Sequence, residues 1–201
     1  MNIQKAEQMF AMINARNSDG LLSEPAPSHD ELAFAIQAGL TAPDHHRLQP
    51  WRFLTVEGDA RIKLGGTFQQ ALIARGETDE ELLRKVQSQP LRAPLILICI
   101  VDVKEHPKVP EIEQVLSMGA AVQNILLMLK AQGFGAIWRT GAITGSPVLK
   151  QSLGLREQEI IAGFVYVGSL SRELPERARI STDQFLKSWD EYSFLCSIQN
   201  I

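Results

Sequence analysis

Cysteine is scarce in this chain. Only Cys99 and Cys196 occur among 201 residues, which leaves no disulfide framework and no paired-cysteine metal motif. Cys99 lies inside an apolar run and reads as a buried thiol, Cys196 as an incidental one. Runs of lysine and arginine are also missing, and the formal net charge is −3, so no positive field draws nucleic acid to the surface. The longest unbroken apolar run is "LILICIV", Leu95 to Val101, well short of the roughly 20 residues that cross a membrane. The first twenty residues carry no basic segment followed by an apolar core, so no secretory signal is expected. These absences predict a soluble cytoplasmic protein with neither nucleic acid nor membrane as partner.

Catalytic signatures are missing as well. No Gly-x-Ser-x-Gly elbow and no Walker phosphate loop occurs, so no side chain is assigned as a catalytic nucleophile. The glycines of "GFGAIWRTG" precede a strand pattern, where a dinucleotide-binding fingerprint must open a helix. Of the four histidines, His29, His45, His46 and His106, none is spaced to share an ion with another. The adjacent pair His45 and His46 is expected to point in different directions, and no metal site is predicted.

What the sequence does contain is an alternation of helical and strand patterns. Ile3, Ala6, Met9, Phe10 and Ile13 recur at helical spacing, predicting an amphipathic helix that stops before Ser18-Asp19-Gly20. "SEPAP" is an extended connector. Ser28 with Glu31 three residues on is a capping box, opening a helix to about Gly39. "WRFLTVEG" reads as a strand, followed by helices near Ala60–Arg75 and Glu77–Gln87. "LILICIV" reads as a fully buried strand. The segment from about Ile112 to Gln132 is apolar almost all round and predicts a central helix stopped by Gly133. "FGAIWRTG" and "IIAGFVYVGS" are two further strands, separated by a short helix with Ser146 as N-cap, Pro147 at its first position and Gly154 past its end. The pattern is α+β, one domain over residues 1–201, with residues 171–201 expected as an arm reaching across a partner.

Three polar clusters punctuate this framework: Arg16-Asn17-Ser18 after the first helix, the loop "APDHHRLQPWRF" from Ala42 to Phe53, and Trp138-Arg139-Thr140 at a strand end. Each alone has an ordinary structural explanation, since an arginine at a helix C-terminus complements the dipole. The first and third together offer two arginines and two hydroxyls, the groups that suit a phosphate dianion, whose oxygens match the guanidinium fork.

In their order, "RNSDGLLSEPAP", "APDHHRLQPWRF", "RAPLILICIV", "GFGAIWRTGA" and "IIAGFVYVGS" resemble the FMN-dependent nitroreductase family, and within it the compact branch of NAD(P)H nitroreductases. The resemblance spans roughly residues 8 to 170. It implies a central, mostly antiparallel sheet flanked by helices, and an intertwined homodimer whose two FMN sites are built from both chains. Arg16, Asn17 and Ser18 match the family's Arg-Arg-Ser motif. Thr41 and His45 match positions that approach the flavin from the partner subunit, and Gln49 lies in the adjoining "QPW" element. Trp138, Arg139 and Thr140 match the stretch along the cofactor. Two departures remove cations: Asn17 stands for the second arginine, and Thr41 where a basic residue is common. Arg16, Arg139 and Arg47 are the candidates to compensate.

The implied activity is reduction of nitro, quinone or related small oxidised substrates, with NADH or NADPH as electron donor and ping-pong kinetics, the chemistry being carried by FMN. The alternative is an FMN-binding protein without turnover, a flavin sensor or reservoir. A hydrolase would need a nucleophile the sequence does not offer.

Overall fold

The computed structural model describes residues 3–172, 178 and 180–189. The chain runs α1 (Ile3–Ala15), β1 (Leu22–Ser23), α2 (His29–Gly39), β2 (Trp51–Glu57), α3 (Ala60–Ile73), α4 (Glu80–Ser88), β3 (Leu95–Asp102), α5 (Glu111–Ala131), β4 (Phe134–Arg139), α6 (Pro147–Ser152) and β5 (Glu159–Leu170). Every strand pairing is antiparallel: β3 lies between β2 and β5, β4 pairs with β5, and β1 joins the last residues of β5. This is the α+β class read from the sequence. The two-residue β1, inside "GLLSEP", is too short to leave a periodic signal.

β3 is buried along its whole length because both faces of the sheet are covered. Alternate strand residues point to opposite faces. Leu97, Cys99, Val165 and Val167 pack under α2 and α5, against Leu32, Ala35, Met118, Val122 and Ile125. Ile96, Ile98, Phe164 and Tyr166 pack on the other face against Leu64 and Phe68 of α3, Val86 of α4 and Leu149 of α6. Cys99 is interior, and burial pushes its thiol up to about 12, so it stays protonated and inert. Cys196 and most of the expected C-terminal arm lie outside the described residues.

Local signals formed as their chemistry requires. Ser28 and Glu31 close the capping box, each side chain accepting from the other's backbone N–H. Ser146 caps α6, with Pro147 at its first position. Gly133 ends α5 at φ 92°, a left-handed conformation that glycine adopts without strain. α1 behaves differently: none of its residues is buried, and Ile3, Met9, Phe10 and Ile13 stand exposed. The helical stripe is real, but it is left largely exposed.

At the β3–β2 end of the sheet, Arg52 Nε lies 2.7 Å from Glu159 Oε1 and Arg156 Nη2 lies 2.7 Å from Asp102 Oδ1; Lys104 also pairs with Asp102. Burial pushes both carboxyls up, but hydrogen bonds from Lys104 and Arg156 to Asp102, and from the Arg156 backbone and side chain to Glu159, more than offset it. Both end below their ordinary values. Each therefore contributes stability that is present above the ordinary carboxylate range, about pH 4, and is lost as pH falls through the lowered folded values. The urea midpoint should fall between about pH 5 and pH 2, and Glu159→Gln should lower it at neutral pH and flatten that acid limb. An unchanged acid limb in the variant would contradict this assignment.

Candidate functional site

After α1, the chain passes along the outer edge of β4, where Ser18 bridges Ala136. It then crosses to β1 over the Tyr166 face of the sheet. Gly135 makes the crossing possible: a Cβ there would stand 2.4 Å from Leu170 Cδ2 and 2.7 Å from Leu22 Cδ2. Gly135 is therefore a close-packing position. The same crossing sets Gly20 against Arg139, where an added Cβ would lie 2.9 Å from Nη2. Residues 16–20 and the end of β4 are thus brought together, as the motifs require.

Trp138 and Arg139 occupy opposite faces of β4. Trp138 faces α5, its Nε1 donating to Ala162 O at 3.2 Å and its ring tip 4.0 Å from a Cβ built on Gly119. Arg139 turns to the other face and lies over Tyr166, 5.7 Å from Cζ to the ring centroid. Two buried polar atoms on these neighbouring segments lack a hydrogen-bond partner among the described residues: Asp19 Oδ2, an acceptor, and Arg139 Nε, a donor. Asp19 is 4% exposed, with its other oxygen accepting from Leu21 N. Unsatisfied buried groups cost about 1–3 kcal/mol each and mark a place where a polar ligand would be welcome. Arg16 and Asn17 line a narrow recess with Lys130 of α5. Thr140 follows Arg139 at the exposed end of β4.

The loop between α2 and β2 is held in an unusual conformation. His46, Arg47 and Gln49 have φ of 60°, 54° and 50°, a left-handed region that costs a non-glycine residue about 1–3 kcal/mol. Asp44 holds the turn, its carboxylate accepting from Leu48 N at 3.1 Å and Gln49 N at 2.7 Å. Trp51 Nε1 donates to Ser117 Oγ and Ser117 Oγ to Pro43 O, which fastens both ends of the loop to α5. The left-handed turn corrects one expectation. His45 and His46 do not diverge: their ring centroids are 4.7 Å apart, and His106 follows at 4.6 Å from His46. His45 Nδ1 lies 2.7 Å from Glu113 Oε2. A carboxylate can only accept, so Nδ1 donates and Nε2 is the nitrogen left for another partner. Thr41 Oγ1 donates to Ala38 O at 2.7 Å, which commits its only hydrogen. Gln49 is exposed.

α5 organises both clusters. At about 100° per residue, Glu113, Ser117 and Asn124, which touch the α2–β2 loop and Thr41, share one flank. Gly119, Leu126 and Lys130, beside Trp138 and the Arg16 recess, lie roughly 140° away across the open side. Between the flanks runs a stripe that includes Ile112, Leu116, Ala120, Gln123 and Leu127; Ile112 is 59% and Leu116 65% exposed. Thr41 and His45 are therefore separated from Trp138 and the Arg16 segment by an open, largely apolar helix face.

Sequence reasoning missed Lys130, Glu113 and Tyr166. Lys130 stands in the last turn of α5, where a cation also complements the dipole, so its position alone did not distinguish it. Glu113 and Tyr166 acquire their roles only through contacts distant in the chain.

With this fold and this arrangement, the profile of the Nitroreductase family matches residues 16–169, and the chain belongs to the nitroreductase family. It is 43% identical over 154 residues to the Escherichia coli (strain K12) protein named "Putative NAD(P)H nitroreductase YdjA", covering 77% of this chain and 84% of that one. The Haemophilus influenzae "Putative NAD(P)H nitroreductase" is 30% identical over 172 residues, 85% of this chain and 93% of the relative. Among solved structures, the nitroreductase-like family protein from Bacillus cereus superposes with a TM-score of 0.77 at 21% identity, over 90% of this chain and 95% of the other. The Desulfovibrio desulfuricans protein described as a "putative nitroreductase in complex with fmn" does so at 0.68 and 22% identity, over 89% and 95%.

Proposed function

We propose that this chain is an FMN-dependent NAD(P)H oxidoreductase that reduces nitro, quinone or related small oxidised compounds, working as a homodimer with each site shared between two copies. The carrying observation is the pair of orphaned atoms where residues 16–20 meet β4. A ribityl phosphate ester offers hydroxyl donors for Asp19 Oδ2 and anionic oxygens for Arg139 Nε, and so fits the residues present. Arg16 and Lys130 add cationic charge at one recess, so Lys130 rather than Arg47 makes up for the arginine missing at position 17. Arg47 lies in the α2–β2 turn, on the other flank of α5.

Bound FMN would supply the redox chemistry that links NAD(P)H oxidation to reduction of the oxidised substrate. The chain's own residues bind and orient. Arg16, Asn17, Ser18 and Arg139 hold the tail, while Trp138, pinned by Ala162 O, forms a rigid apolar wall. His45, Thr41 and Gln49 approach from the partner copy. His45 is fixed by Glu113 so that Nε2 faces outward as a polar contact for the ring. Thr41, its hydrogen committed to Ala38 O, contributes shape and an oxygen rather than a donor. The separation of the clusters around α5 supports the shared site: a molecule held at Trp138 and the Arg16 recess cannot also meet His45 of the same chain without passing the open stripe. Two-fold packing through that stripe would complete the site.

The purified protein should be yellow, or take up FMN with a gain in thermal stability, and anaerobic NAD(P)H should bleach its absorbance. A colourless protein that FMN does not stabilise would overturn the reading. Bleaching no faster than that of free flavin would assign the chain to flavin storage or sensing instead.

A further inference from the structure

On the Tyr166 face of the sheet, a recess of about 620 Å³ opens between Gly20, Leu21, Ser23, Leu91, Arg92 and Ser171. Gly20 is also the residue against which the Arg139 guanidinium rests, so the recess begins where the Arg139 contact ends. Its one cationic lining residue is Arg92, exposed at the end of the turn Gln89–Arg92 that leads from α4 into β3. The backbone at that turn is well fixed: Pro90 is buried, and Arg61 Nη1 donates to Ala93 O at 2.7 Å. No carboxylate among the described residues lies within ion-pair distance of Arg92 or Arg139. Both guanidinium groups act on one phenol. Burial pushes the Tyr166 hydroxyl up, while Arg139 and Arg92 pull it the other way. Two guanidiniums that both act on a buried tyrosine, with serine hydroxyls at the rim of the recess, form an anion site with no carboxylate in ion-pair distance among the described residues.

We propose that Arg92 is a phosphoryl-binding residue, acting with Arg139 at the recess beside Gly20 to hold a phosphate group of a nucleotide ligand. This rests on the flavin-dependent reading for the identity of the nucleotide, though not for the anion chemistry itself. Two sources share that chemistry, the tail of FMN and the phosphates of NAD(P)H. A guanidinium fork suits either, since a charge-assisted contact of this kind changes affinity by roughly tenfold or more.

The test compares wild type, Arg92→Gln and Arg92→Lys. Inorganic pyrophosphate should raise the melting temperature of the flavin-free wild type, less so that of the lysine variant, and leave Arg92→Gln unmoved relative to a chloride control of equal ionic strength. Fluorescence titration then separates the sources. A loss of about tenfold in FMN affinity with riboflavin unchanged assigns the flavin tail. An unchanged FMN affinity with a NADPH-to-NADH KM ratio raised about tenfold assigns the reductant. A pyrophosphate response equal in wild type and Arg92→Gln, or a loss shared equally by FMN and riboflavin, would overturn the proposal. A wild type that binds no FMN yet responds to pyrophosphate through Arg92 would instead remove the flavin reading and leave the anion site standing.

Discussion

Replacing Arg139 by alanine should weaken FMN binding by about 10- to 100-fold while leaving riboflavin affinity nearly unchanged. The range is that of one or two charge-assisted hydrogen bonds, about 1.5–3 kcal/mol each, on a scale of about 1.4 kcal/mol per decade. The discriminating feature is what happens without ligand. In the free protein Arg139 Nε is buried with no hydrogen-bond partner among the described residues, so removing it relieves a desolvation penalty. The loss of its stacking on Tyr166 costs only about 0.5–1 kcal/mol. The flavin-free variant should therefore melt close to wild type while FMN affinity collapses. Arg16→Ala should show the same selectivity for the phosphorylated flavin. A drop in melting temperature that accompanies equal losses for FMN and riboflavin would mean that these arginines support the fold and not the tail.

Leu116→Asp should convert the protein to a monomer and remove FMN binding with it. Leu116 is 65% exposed on the open stripe of α5, and such surface substitutions cost a single chain within about 0.5 kcal/mol. In a symmetric pair the same change is felt twice, because two-fold packing sets the patch against its own copy and desolvates two carboxylates. Light scattering at micromolar concentration should report a single chain, and FMN titration a loss of at least about tenfold. A dimer that persists would move the interface elsewhere. A monomer that binds FMN as wild type does would refute the shared site.

Much of the framework was legible in the sequence because it rests on short-range physics. Ser28 with Glu31, Pro147 after Ser146, and Gly133 after an apolar helix each announce a local conformation, and each formed. "LILICIV" read as buried because nothing polar interrupts it. The site was legible only as separate motifs. That Gly20 would rest against Arg139 depends on Gly135 letting Leu22 cross the sheet, a contact more than a hundred positions apart in the chain. His45 and His46 converge through a left-handed turn held by the Asp44 carboxylate, which no propensity foretells. The division of Trp138 from Arg139 follows from strand alternation and could have been read beforehand. The placing of Thr41 and His45 on the far flank of α5 could not.

α1 keeps no residue in the interior, yet it leads directly into the segment that carries Arg16 and Asn17. In the proposed pair, the exposed apolar side of this helix would be buried further by the second copy. Ligand capture and subunit association would then draw on one and the same ordering event. Free FMN should shift the monomer–dimer balance toward the pair, and dilution should release flavin more steeply than a one-site equilibrium allows.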